Sequence, residues 1–153
     1  MPEKTNKMKI KPPHIAFLLL ILAWLLDYEF SQFKFLTGNI RYFGVLILIL
    51  GLSLTFYSFY LFKKNKTPII PGTKPTFVVM QGSYKFTRNP MYLGVTIALI
   101  GIAFYLGNLL SFISPIIFFV IINMVYVPFE EKLMENIFGK RYLDYKKKVR
   151  RWV

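Results

Sequence analysis

The stretch Gly82-Ser83-Tyr84-Lys85-Phe86-Thr87-Arg88-Asn89-Pro90-Met91-Tyr92-Leu93-Gly94 passes without a break from a polar, aromatic loop into a long apolar run. Asn89 is a helix-capping residue type and Pro90 suits a first turn, so the sequence predicts a helix opening at Pro90. Arg88 then stands at the mouth of a membrane helix, and the backbone N–H groups of Met91 and Tyr92 point at whatever occupies the loop. Such a mouth suits a small anionic or zwitterionic ligand.

Outward from this stretch, apolar residues fall in blocks over 13–30, 40–62, 91–106 and 109–129. A bilayer span needs about 20 residues, or roughly 17 at the short end. Four spans are therefore expected in an all-α integral membrane protein. With 153 residues, 55% of them hydrophobic, and a mean hydropathy of +0.46, the chain is too apolar for a soluble domain of its size. Asp27-Tyr28-Glu29-Phe30 follows the apolar core of the first block, 15–26, where a cleaved signal would carry small residues, so that block is expected to remain as a helix.

Lys and Arg outnumber acids by 20 to 7, and their placement argues against nucleic acid as the partner. Lys4, Lys7, Lys9 and Lys11 precede the first span, and only Lys34 and Arg41 separate the first and second. Lys63, Lys64, Lys66, Lys74, Lys85 and Arg88 lie between the second and third, and eight more follow the fourth. This bias is expected to put both termini and the central loop in the cytoplasm, facing anionic headgroups. The chain has no cysteine, which excludes disulfides, thiolate catalysis and Cys-ligated metals. Its one histidine, His14, reads as an interfacial residue beside Pro12-Pro13, because a lone imidazole without clustered carboxylates makes a poor metal site.

One domain is expected over 1–153. The tail before Lys11 is polar and expected to be mobile. The loop 67–90 is long, carries Pro68, Pro71-Gly72 and Pro75, and is rich enough in Phe, Val, Met and Tyr to fold over something. Gly94, Ala98 and Gly101 form a small-residue stripe that lets another helix approach, in a dimer or internally. Gly107-Asn108 predicts a tight turn and an antiparallel hairpin, with a kink at Pro115. In the segment 130–152, a helix with acids in its opening turn should end at Gly139. A basic helix follows, whose apolar face, Tyr142, Tyr145 and Val149, should lie on the membrane or fold back over the loop.

The hairpin brings Arg88, Glu130 and Glu131 to one membrane face, where charges are costly and informative. An arginine beside a carboxylate complements an amino acid's carboxylate and ammonium groups, and Tyr84, Tyr92, Tyr142 and Tyr145 offer faces to a heteroaromatic ring or a sulfonium. The same residues also suit a purely structural reading: Arg88 snorkelling to headgroups, the Glu pair at a helix start, the tyrosines as an interfacial belt.

The pattern Gly82-x-Tyr84, Arg88-Asn89-Pro90-x-Tyr92-x-Gly94, Glu130-Glu131 and Phe138-Gly139-x-x-Tyr142-x-x-Tyr145 resembles the isoprenylcysteine carboxyl methyltransferase family, which is grouped with the membrane phospholipid methyltransferases. The likeness spans residues 67–152. It implies S-adenosylmethionine as cofactor, lined by Thr76, Phe77, Val78 and Val79, and contacted by Tyr84, Asn89, Pro90, Met91, Tyr92 and Glu130. Asn89 replaces a histidine common in the family. Tyr126 stands where eukaryotic members carry a substrate-binding arginine. Arg88 and Glu131 are the expected catalytic pair.

A carboxylate acceptor needs no base, whereas an amine acceptor must lose a proton, to Glu131 or a tyrosine. The expected function is methyl transfer to a lipophilic acceptor, either isoprenylcysteine carboxylate-like or a lipid. Phospholipid N-methylation, an NADPH-dependent reductase of the sterol type and a non-enzymatic lipid-binding scaffold are the alternatives.

Overall fold

The computed structural model describes residues 10–68 and 73–153; the tail through Lys9, with Lys4 and Lys7, and the Pro71-Gly72 pair of the loop lie outside the described residues. The described chain forms six α-helices: α1 Pro12–Glu29, α2 Phe43–Lys64, α3 Pro90–Leu106, α4 Ile113–Ile121, α5 Val127–Phe138 and α6 Lys140–Lys148. Three stretches, Pro12–Glu29, Gly38–Lys64 and Leu109–Phe138, are long and apolar enough to cross a membrane. α3 is shorter at 17 residues; it rises about 26 Å at ~1.5 Å per residue, against a hydrocarbon core of ~30 Å. Phe17, Leu18 and Trp24 on α1, Leu46, Leu50 and Phe56 on α2, and Ile116 and Met124 farther on are all exposed. An apolar belt of this extent requires lipid rather than water around it. The chain is a multi-pass, all-α membrane protein.

Helix ends follow the local chemistry with one exception. Pro12-Pro13 open α1, and α3 closes on Gly107 in the left-handed region at φ 74. The Asn108 side chain then accepts from the Leu110 N–H at 2.9 Å, giving the expected tight hairpin. Asn108 also donates through Nδ2 to the Phe30 carbonyl at 2.8 Å. Phe35 and Leu36 donate their N–H groups to the Gly107 carbonyl, so the α1–α2 and α3–α4 connections are tied at one end of the bundle. The exception is Asn89: it occupies the N-cap position of α3, but its side chain makes no capping bond. That amide is drawn instead to the C-terminal segment.

α2 and α3 form the most extensive helix pair, and glycine decides their approach. A Cβ on Gly51 would lie 2.6 Å from the Gly94 carbonyl and 2.9 Å from Ala98 Cα, and one on Gly101 would lie 2.7 Å from the Gly44 carbonyl. The stripe of Gly94, Ala98 and Gly101 thus serves an internal contact, with Gly44 and Gly51 as its counterpart on α2.

The fourth span differs from expectation. Leu109–Phe138 is one continuous helical stretch, so the acidic pair lies within it rather than on a separate helix after residue 129. Its irregularity falls at Ile122–Tyr126, a π turn closed by the Val127 N–H on the Ile122 carbonyl, whereas Pro115 sits in the first turn of α4. Pro128 accounts for the position. Lacking an N–H and crowding the carbonyl four residues back, it breaks the α ladder there, and a widened turn absorbs the break. α5 then ends at Gly139, φ 50, as expected. The Tyr142 and Tyr145 face of α6 packs on Val78 of the loop.

Candidate functional site

At the α3 mouth the chemistry divides between two adjacent acids. Successive helical residues point about 100° apart, so Glu130 and Glu131 face different neighbours. Glu131 is buried and both its oxygens are taken. Arg88 Nη2 reaches Oε1 at 2.8 Å, Arg151 Nε and Nη2 hold Oε1 and Oε2 at 3.1 and 2.9 Å, and Lys146 lies 3.3 Å from Oε2. Arg88 also donates through Nη1 to the carbonyls of Lys146 and Val149 at 3.1 and 2.5 Å. The expected catalytic pair is therefore joined to itself, in an ionic knot that ties α3, α5 and the C-terminal segment together.

The knot is extended by backbone bonds. The Arg88 N–H donates to the Arg150 carbonyl at 3.0 Å. Thr87 Oγ1 and Asn89 Nδ2 both donate to the Arg151 carbonyl, at 2.9 and 3.0 Å. Trp152 packs on the Phe119 ring at 4.8 Å and donates its indole N–H to Asn123 Oδ1 at 3.0 Å. Residues 149–152 thus form a strap across the start of α3. Arg151, Lys146, Asn123 and Trp152 were not singled out from the sequence; a basic, aromatic C-terminus was the available signal, but a basic helix reads first as a solvated face.

Glu130 is half-buried. Among the described residues its hydrogen-bond partner is Tyr92, whose Oη donates to Oε1 at 2.6 Å. The first hydrogen bond of α3 runs from the Leu93 N–H to the Asn89 carbonyl, and Pro90 has no N–H. The amides of Met91 and Tyr92 are therefore the first-turn donors left without an intrahelical acceptor. A carboxylate and two amide donors at one helix mouth match the two ends of an amino-acid zwitterion.

The loop residues are divided by burial. Val78 and Val79 are buried, Val78 against Tyr142 and Tyr145 and Val79 against Leu61 and Tyr84, so packing takes up both side chains. Thr76 is exposed and bonded to the Lys66 carbonyl at 3.0 Å; Phe77 is exposed beneath the Arg141 guanidinium at 5.0 Å. Tyr84 is buried and its carbonyl accepts from Tyr145 Oη at 2.7 Å. Burial pushes the phenols of Tyr84, Tyr142 and Tyr145 above their ordinary value, so all three stay protonated near neutrality.

Farther into the membrane, an apolar groove of about 430 Å³ opens between α3 and α4, with Thr96 and Ile100 on one wall and Phe112, Ile116 and Phe119 on the other. Thr96 lies one turn from Tyr92 and donates to its carbonyl at 2.9 Å. The groove and the Tyr92–Glu130 pair therefore share a face of α3.

Comparison with known proteins now bears on this arrangement. An uncharacterized protein of Haemophilus influenzae is similar, 41% identical over 63 residues that make up 41% of this chain and 100% of the relative. The profile of the phospholipid methyltransferase family matches residues 40–141, from the start of the second span into α6. The chain belongs to the phospholipid methyltransferase family, within the isoprenylcysteine carboxyl methyltransferase-like superfamily, and is a membrane methyltransferase.

Proposed function

We propose that this methyltransferase uses S-adenosylmethionine and acts on a lipophilic acceptor at the cytoplasmic face of its membrane. The observation that carries the reading is the Tyr92–Glu130 pair: a half-buried carboxylate, fixed through one oxygen at 2.6 Å to the side chain of a first-turn residue of α3, where the Met91 and Tyr92 amides have no intrahelical acceptor. Glu130 holds the ammonium end of the methionine moiety, and the Met91 and Tyr92 amides receive its carboxylate. Thr76, Phe77, Val78 and Val79 line the remainder, Val78 and Val79 through backbone, with Tyr84, Asn89 and Pro90 fixing the shape of the mouth. The cofactor, when bound, supplies a methyl group already activated on a sulfonium. The protein's task is alignment and exclusion of water, and Arg88 and Glu131 serve it by fastening the strap.

The groove between α3 and α4 supports lateral entry of an apolar chain from the bilayer. Glu131 is fully engaged and the buried tyrosines stay protonated, which favours an acceptor that needs no base, a carboxylate over an amine. The basic residues of the loop and of α6 support a cytoplasmic site by the positive-inside bias.

Calorimetry on the purified chain tests the cofactor. S-adenosylmethionine should bind and NADPH should not, and Glu130→Gln should weaken binding about tenfold or more, as expected for a charged hydrogen bond of ~1.5–3 kcal/mol. No S-adenosylmethionine binding, or preferential NADPH binding, would overturn the reading.

A further inference from the structure

Beside the proposed methyl-transfer site, a second cleft of about 450 Å³ lies between the loop and α6, lined by Lys85, Arg141, Asp144 and Lys148 together with Met80, Tyr145 and Val149. Its origin is the register of α6. Tyr142, Tyr145 and Val149 face inward, so Arg141, Asp144 and Lys148, each one position earlier, line up along the adjoining strip of the helix. Three cations meet one acid there. Among the described residues none of the three has a carboxylate within 4 Å, since the ion pairs of this region run through Lys146, Arg88 and Arg151. Arg141 is instead steadied over the Phe77 ring at 5.0 Å, which orients its guanidinium without neutralising it.

The neighbouring residue decides what kind of anion fits. Phe86 directly follows Lys85, is 76% exposed and lies four residues before Pro90, the first residue of α3. A bare phenyl ring beside a lysine, just ahead of an apolar helix, suits the boundary between headgroups and acyl chains, where a soluble anion would gain nothing from it. The cleft volume exceeds what a lone phosphate needs and lies within the range of small-molecule sites.

We propose that this cleft binds the phosphodiester headgroup of an anionic bilayer lipid, with Lys85, Arg141 and Lys148 around the phosphate and Phe86 against the upper acyl chain. The lipid is a bound partner and is not methylated. It clamps the loop to α6 by bridging Lys85 on one to Arg141 and Lys148 on the other. The attraction is electrostatic at an interface and weakens with salt.

The test uses the full chain purified in a neutral detergent, with no methyl donor present, so its outcome is separate from that of the methyltransferase reading. Titration with dihexanoyl phosphatidylglycerol should give saturable binding, and dihexanoyl phosphatidylcholine and inorganic phosphate should bind far more weakly. Lys85→Gln/Lys148→Gln should raise the phosphatidylglycerol dissociation constant about fivefold per lysine removed, with an unchanged melting temperature in the absence of lipid. Asp144→Asn, which removes the opposing charge, should tighten binding and stands as the check if the double variant fails to fold. Equal affinity for phosphatidylcholine, equal affinity for inorganic phosphate, or insensitivity to these substitutions would overturn the proposal.

Discussion

Glu130 and Glu131 are chemically identical neighbours, yet one rotation of about 100° along the helix separates a carboxylate bonded through one oxygen from one whose oxygens are both filled. Their substitutions should therefore fail differently. Glu131→Gln leaves the Arg88 guanidinium, 8% exposed, without its counter-charge, and breaking such a buried pair costs about 3–5 kcal/mol. It should lower the melting temperature sharply. Glu130→Gln should leave melting nearly unchanged while weakening cofactor binding; a thermal scan of both variants with and without S-adenosylmethionine checks the pair. At this scale the sequence brought Arg88 to the same face as the acidic pair, and Arg88 does meet an acid. It did not show which acid, because partner choice depends on the rotation at which α5 leaves the π turn, and Pro128 sets that rotation only when the whole span is packed.

Among the elements, the α2–α3 seam is the clearest case of a pattern whose meaning needed a partner. Gly94, Ala98 and Gly101 announced a close approach from their spacing alone, and Gly44 and Gly51 turn out to face them. Gly51→Leu would force a side chain into the Gly94 carbonyl and the Ala98 backbone, and overpacking of this kind costs about 1–3 kcal/mol. The expected result is a less stable protein whose cofactor affinity per folded molecule is retained, measured by denaturation and by calorimetry on the folded fraction. The tight turn at Gly107-Asn108, the stop at Gly139 and the start at Pro90 were legible because each is written in one or two residues with a local conformational demand. The π turn was not, since Pro115 and Pro128 look alike in sequence and only the latter falls where a helical hydrogen bond had to be lost.

Across the whole molecule, the C-terminal strap closes over a helix that begins some sixty residues earlier, as in the Thr87 to Arg151 bond between positions 64 apart. Removal of residues 149–153 would take away the carbonyls that hold Arg88, Thr87 and Asn89, together with the Trp152 contact on Phe119. The truncated chain should still insert into membranes, because its spans are intact, but should lose methyl transfer; transfer retained at wild-type rate would show the strap to be dispensable. The acceptor class is read at the same scale. Membranes incubated with S-adenosylmethionine labelled in its methyl group should acquire a base-labile label, an ester, if the acceptor is a carboxylate; a base-stable label would identify an amine. By itself the sequence determined the number and order of apolar blocks, the basic flanks, the hairpin and the motif-bearing ends, because hydropathy over about 20 residues and single-residue turn chemistry are local properties. Tertiary structure alone decided that both Glu131 oxygens are filled while Glu130 is bonded through one, that the glycine stripe is an internal seam, and that the basic C-terminus is a strap. Those outcomes depend on which desolvated groups find partners across the fold, and a buried charge takes the partner that packing brings within reach.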